Sequence, residues 1–381
     1  MDTPKASYPK LLGSLGPSLR RPRHAYSRRV ATIEAHTRAV ERVTRLCGAH
    51  HEARGLRLAV LEEIRRAAPF DAYSWLLTDP ETEVGCAPLA DVPCLPELPR
   101  LIRLKYLTPV NRWTRLDVSV ALLRAATGEQ REHSLVWREM LASYGVNDVA
   151  SLVFRDQFGC WGFLELWRID SGARFTDAEA EFLSGIAAPV TEALRRSQAR
   201  TFDLAASPPD RTGPVVLMLS PQLEVKAQTP DTDQYLRILV PPDADRRPIP
   251  SGAYNVAAQL LAVEAGVDNH PPSARVHLSG GTWLTLRAAR IAVGAPPDEQ
   301  DIAVTIEATS PAERTAVFGR AFGLSAREAE LLSHLVTGSD TRRIAQRMFL
   351  SEHTVQDHLK SIFAKTATRN RRTLLARATG R

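Results

Sequence analysis

The stretch from Leu324 to Arg381 has room for little except short helices joined by tight turns. Ser325-Ala-Arg-Glu328 is a capping box, in which the Ser hydroxyl and the Glu carboxylate satisfy each other's orphan backbone N–H groups. The helix it starts carries Glu328, Leu331, Leu332 and Leu335 on one side, and Gly338 can end it in the left-handed conformation. Asp340 or Ser339 can cap a second helix, with Ile344, Ala345 and Met348 facing inward. Only Phe349 and Leu350 separate that helix from Ser351, which can cap a third. A fourth helix from Arg371 presents Leu374, Leu375 and Ala378. Two helices joined by so short a turn are a helix-turn-helix unit.

At 100° per residue, Val355, Leu359, Ile362 and Thr366 of the third helix fall in one narrow arc, flanked by His358 and Phe363, which predicts its buried face. The opposite arc holds His353, Asp357, Lys360 and Ala364, with Gln356 and Ser361 at its shoulders. Short or hydrogen-bonding side chains around one Lys suit the DNA major groove, where base edges offer donors and acceptors. Thr354 and the amides of the helix start are placed for phosphate oxygens.

Leu324, Ser325, Arg327, Glu328, Leu332, Gly338, Ile344, Ala345, Leu350, Ser351, Thr354, Val355, His358, Leu359, Lys360, Ile362, Lys365 and Arg371 together resemble the LuxR/FixJ-type DNA-binding domain. The resemblance implies that Gln356, Asp357 and Lys360 face the bases and that Thr354 and Lys365 lie by the phosphates. It further implies double-stranded DNA as a partner, a homodimer with a contact through 371–379, and RNA polymerase as a further partner. The chain departs from the family at Gln356 and Asp357, where a basic or small apolar residue is frequent. Asp357 can accept from cytosine N4, repel phosphate, or pair with Lys360 one turn on. An operator unlike the family's familiar ones is expected.

Upstream, the sequence predicts a long unit over 31–203: helices over 31–53 and 56–67, a strand over 72–78, helices with loops over 95–145, and strands over 149–155 and 160–168. Those two strands are joined at Asp156-Gln-Phe-Gly159, and the capping box Thr176-Asp-Ala-Glu179 opens a closing helix. This order resembles a GAF domain, most densely over 149–196. A Pro-rich linker occupies 204–212. Over 213–310 two strands, a helix and three strands, two of them joined at Gly280-Gly281, resemble a PAS-type fold, and 311–323 reads as a connector. The expected fold class is multi-domain: an α+β GAF-like domain, an α+β PAS-like domain and an all-α, four-helix C-terminal helix-turn-helix.

Charge is unevenly spread. Residues 1–30, expected as a flexible basic arm, hold seven Lys and Arg against Asp2, and residues 324–381 hold eleven against five Asp and Glu. Each end is net +6, so a body of net −6 lies between them, and a basic compact end unit suits a polyanion. No apolar run approaches the ~20 residues that span a bilayer, and no secretion signal opens the chain, so a cytoplasmic protein that does not engage membranes is expected.

Four cysteines are too few for a disulfide framework. No phosphate-binding loop, metalloprotease motif, nucleophile elbow or ligand-like His cluster occurs, so neither catalysis nor a metal or cofactor is expected. His50-His51 reads as a surface pair. The expected function is a transcriptional regulator whose operator binding responds to a small-molecule effector or a partner in the GAF/PAS-like region. Trp75, Trp113, Phe154, Trp161 and Phe163 are candidate effector-pocket residues, although strand aromatics usually form core. The alternatives are a signalling hub built on protein–protein contacts, and a thiol redox sensor using Cys160 or Cys86 with Cys94.

Overall fold

A computed structural model describes residues 23–49, 52–169, 172, 174–203, 215–232, 250–277, 282–291, 296 and 299–380. The expectations for 1–22, for His50-His51, for the 204–212 linker and for the Gly280-Gly281 turn lie outside these residues, whereas residues 23–30 of the expected arm are instead the first turns of a helix.

Helices α1 (Arg23–Gly48) and α2 (Ala53–Ala67) are followed by strands β1 (Ala72–Thr78) and β2 (Gly85–Asp91). Helix α3 (Leu98–Leu107), strand β3 (Val120–Leu122), and short helices α4 (Leu123–Ala126) and α5 (Leu135–Glu139) lead to β4 (Val146–Asp156), β5 (Gly159–Ile169) and α6 (Asp177–Arg200). The five strands form one antiparallel sheet in the order β2-β1-β5-β4-β3. β4 and β5 read as nearly unbroken apolar runs because both sheet faces are covered. Trp75, Phe154, Leu164 and Leu166 pack in one core with α1, α2 and α6, while Leu76, Phe163, Tyr106 and Trp113 belong to another. The hairpin turn admits only glycine, since Gly159 has φ +150° and a Cβ there would sit 2.2 Å from the Pro80 carbonyl oxygen.

β2 and β3 were not legible in the sequence, which assigns no element to 85–91 and places 120–122 among helices with loops. β2 carries Pro88 and β3 has three residues, and both are edge strands, where a missing N–H or a short ladder is tolerated.

The second sheet contains β6 (Val215–Leu219), β7 (Val225–Gln228), β8 (Ser273–His277), β9 (Trp283–Arg290) and β10 (Ile302–Ala308), with α7 (Ser251–Glu264) against it. Its order, β7-β6-β10-β9-β8, repeats that of the first sheet in sequence-relative terms. α7 lies between the two units, packing on β9 and on α3. Buried polar links reinforce the seam: Arg112 donates to Asp268 at 2.8 Å and to Gln259 at 2.8 Å, and the Thr82 hydroxyl donates to the Ser273 carbonyl at 2.6 Å.

The segment read as a connector forms helix α8 (Pro311–Ala321), capped by a reciprocal Ser310–Glu313 box, with Val317 and Phe318 fully buried. Four helices complete the chain: α9 (Ala326–Val336), α10 (Thr341–Met348), α11 (Glu352–Thr366) and α12 (Arg371–Thr379). One continuous apolar core runs from α1 through Phe202, Trp283 and Phe318 into Leu331, Ile344 and Leu359 of this last unit.

Candidate nucleic-acid interface

The site is built around α10 and α11. Asp340 caps α10 by accepting from the Arg343 N–H at 2.8 Å, and the helix stops at Phe349, whose φ of +56° turns the chain in a left-handed step. Phe349 is 94% exposed. Ser351 Oγ accepts from the Thr354 N–H at 3.1 Å and starts α11. Val355, Leu359, Ile362 and Thr366 are buried, as the 100° projection places them.

The outward face of α11 is open to solvent. Lys360 and Asp357 side chains are 72% and 54% exposed, so neither is packed away against the rest of the chain. They are paired with each other: Lys360 Nζ donates to Asp357 Oδ1 at 3.0 Å, and His353 Nε2 lies 3.5 Å from Oδ2. The Lys360 hydrogen bond, followed by the nearby His353, holds the Asp357 carboxyl below the usual carboxylate range. Gln356 reaches Thr341 at 3.5 Å, and the Thr354 hydroxyl lies 2.8 Å from that of Ser351.

Lys365 is engaged elsewhere. Its ammonium donates at 2.6 Å to Glu328, which also accepts from the Ser361 hydroxyl at 2.6 Å and from the Ser325 N–H at 2.6 Å. Burial alone raises the Glu328 carboxyl, but these donors outweigh it and hold it at about 2. In this arrangement Lys365 locks α11 onto α9, and a phosphate contact through it requires opening that pair. Arg342, Arg343 and Arg347 on α10, with Arg369 and Arg372 beyond α11, are exposed cations that residue-by-residue reading of α11 did not single out. Their signal was the net charge of the whole unit.

The final helix packs inward on α8, with Leu374 and Ala378 fully buried. Arg314 donates to the Arg377 carbonyl at 3.2 Å, while the Arg377 guanidinium joins Asp203 and the Thr366 carbonyl and lies 4.6 Å from the Phe322 ring. Arg372, Thr373 and Ala376 remain exposed on the far side.

The five aromatic candidates for an effector pocket do not converge. Trp75 and Phe154 stack at 5.1 Å in the core shared with α1, α2 and α6, where Trp161 also lies, whereas Trp113 and Phe163 stack at 4.1 Å in the other core. Phe163 alone of the five borders a cavity of about 200 Å³ beneath α3 and α7, and Trp161 alone borders one of about 600 Å³ beside α6 and β8. All four cysteines are buried and unbonded, and desolvation pushes the Cys47 and Cys94 thiols to about 11 and those of Cys86 and Cys160 to about 12. A thiol sensor needs an accessible, low-pKa thiolate, which is the opposite environment. Among the described residues there is no group of three or more His, Cys, Asp or Glu able to hold a metal, and no helix long and apolar enough to cross a membrane.

Comparison with known proteins bears on this last unit. Over 48 residues the chain is 44% identical to the CsgBAC operon transcriptional regulatory protein of Escherichia coli and, equally, to the "Probable csgAB operon transcriptional regulatory protein" of Salmonella typhimurium. Those matches cover 13% of this chain and span 22% of the length of each relative. Among solved structures, Escherichia coli SdiA aligns over 88% of this chain and 93% of its own at 13% identity and a TM-score of 0.32. The sensor region of a sensor histidine kinase aligns over 62% and 84% at 12% identity and a TM-score of 0.16. Residues 323–378 match the model of the luxR family of bacterial regulatory proteins (GerE), so the C-terminal unit is a helix-turn-helix domain of that family.

Proposed function

We propose that the chain is a sequence-specific DNA-binding transcription regulator, without catalytic activity, whose two-sheet body controls how the C-terminal unit is presented. The observation that carries this reading is the outward polar face of α11, with Gln356, Asp357 and Lys360 exposed on a helix whose opposite side is clamped into the luxR-type core. Gln356, Asp357 and Lys360 then meet base edges, while Thr354 and the exposed arginines of α10 meet phosphates. Two copies bind a palindromic operator with half-sites about one helical turn apart. RNA polymerase is the expected further partner.

The repeated strand order supports reading the body as a GAF-like unit followed by a PAS-like one, each with a sheet able to support a ligand or partner site. An effector or partner that favours one arrangement of the body shifts the population of DNA-competent molecules.

Selection of bound sequences from a random duplex pool by the full-length protein tests the reading. Recovery of a palindromic consensus is expected, and removal of residues 324–381 should abolish it. Enrichment of no sequence, or retention after that truncation, overturns it.

A further inference from the structure

The first sheet's face beneath α3 and α7 encloses the cavity of about 200 Å³. Strand alternation sets its floor, with Ser74 and Leu76 of β1 opposite Glu165 and Phe163 of β5. One wall is the apolar stripe Leu98, Leu101 and Ile102 of α3. The other is Ser251 and Asn255, one turn apart on α7, the helix belonging to the second sheet.

The charges at the cavity are already matched, since the Lys105 ammonium is ion-paired with the Glu165 carboxylate and both side chains are 11% exposed. The Tyr106 hydroxyl accepts from the Gly85 N–H at 3.0 Å, but the neutral polar groups that α7 contributes to the cavity are not matched. Asn255 is 1% exposed and Ser251 4%, yet neither amide atom of Asn255 nor the Ser251 hydroxyl has a hydrogen-bond partner among the described residues. A buried amide left unpaired is a substantial destabilisation, and two such side chains on one helix face, both lining one cavity, are placed to receive a polar head group. An Asn side chain offers an acceptor oxygen beside a donor nitrogen. Its complement is a head group with one donor and one acceptor.

We propose that this cavity binds a small uncharged ligand with an apolar body and an amide-like head group, the head received by Asn255 and Ser251 and the body by Leu76, Phe163 and the α3 stripe. A carboxylate is disfavoured, because it brings an unmatched negative charge beside Glu165. A cavity of this size admits a body about as large as benzene. The ligand touches the first sheet, α3 and helix α7 of the second unit, so its occupancy bridges the two units. The inference rests on the regulator reading only for what occupancy does to DNA binding, not for binding itself.

Saturation-transfer NMR on the full-length protein, with hexanamide and hexanoate as probes, tests it. Hexanamide should receive magnetisation and hexanoate little. Asn255→Leu should weaken the hexanamide response roughly tenfold, the equivalent of one lost hydrogen bond, while melting at or above the wild-type temperature because an unpaired amide has gone. Ala90→Trp, at an exposed lining position of β2, keeps the test readable if Asn255→Leu does not fold, and should abolish the response by filling the cavity. Equal hexanamide transfer to wild type and variants, a preference for hexanoate, or a lowered melting temperature for folded Asn255→Leu overturns the proposal. Random-pool selection reads the DNA-binding assignment separately, so a clean consensus with no hexanamide response rejects the cavity alone.

Discussion

Asp79 and Arg275 lie 196 positions apart and meet in a bidentate ion pair, with Nε and Nη2 of Arg275 each 2.7 Å from a carboxylate oxygen of Asp79. The Arg275 backbone N–H adds a third bond at 2.8 Å, and Glu81 accepts from Arg275 at 2.7 Å. The pair joins the end of β1 to β8, and so joins the two sheets. Burial acts to raise the Asp79 carboxyl, but the Arg275 hydrogen bonds and charge prevail and leave it below its ordinary value.

Asp79→Ala strands the Arg275 guanidinium in a buried site, and a loss of about 3–5 kcal/mol is expected. Thermal unfolding should split into two transitions as the sheets uncouple. The folded-state pKa is depressed, so the pair's contribution is complete above the unfolded value of about 3.9 and fades as pH falls below it. Melting temperatures from pH 6 to pH 2 check the sign, and Asp79→Ala should flatten that dependence.

Glu328→Gln removes the charge that holds Lys365, Ser361 and the start of α9 together, and should cost about 1–3 kcal/mol. The Glu328 carboxyl is lowered from 4.5 to about 2 in the folded chain, so its stabilisation is present above about pH 4.5 and lost on acidification toward 2. Urea titrations of wild type and variant at pH 7 and pH 3 should therefore differ more at the higher pH.

Asp357→Ala releases Lys360 and removes a negative charge from the face of α11. Binding to random duplex should tighten, and the slope of log affinity against log salt should steepen by about 1. Lys360→Ala should cost about 1–3 kcal/mol on selected DNA and less on random DNA. Equal losses on both duplexes would place Lys360 at phosphate rather than at a base.

Phe202 stacks on Trp283 at 5.0 Å, meets the Phe318 edge at 5.2 Å and lies 4.8 Å from the Arg314 guanidinium. Phe202→Ala should destabilise by about 3–5 kcal/mol. Faster amide exchange in α8 and α12, with the first sheet unaffected, is the accompanying signature.

Local rules were enough to read most of the C-terminal unit. Capping residues Ser325, Asp340 and Ser351 and the buried arc of α11 are matters of sequence neighbours and helical period. The Asp357–Lys360 pair was also legible as an i,i+3 alternative, whereas the Glu328–Lys365 clamp joins two helices and needs the tertiary fold. The same distinction explains the body. Thr176 and Glu179 announced α6, but Pro88 in β2 and three-residue β3 have no periodicity to read, and only pairing with β1 and β4 makes them strands. The aromatic candidates do not share one cavity. Trp161 and Phe163, two positions apart, would lie on one face of a regular strand. The register shift opposite Phe154 and Arg155 places an irregularity at this point of β5, and the two rings enter different cores, which no local pattern announces.

Arg377 reaches from the last helix to Asp203 at the close of α6 and to the carbonyl at the end of α11. The reading head is therefore bolted to its chassis rather than hung from a tether. Its aim in space belongs to the whole molecule, and turning it means unfastening that guanidinium together with the apolar contacts among Phe202, Trp283 and Phe318.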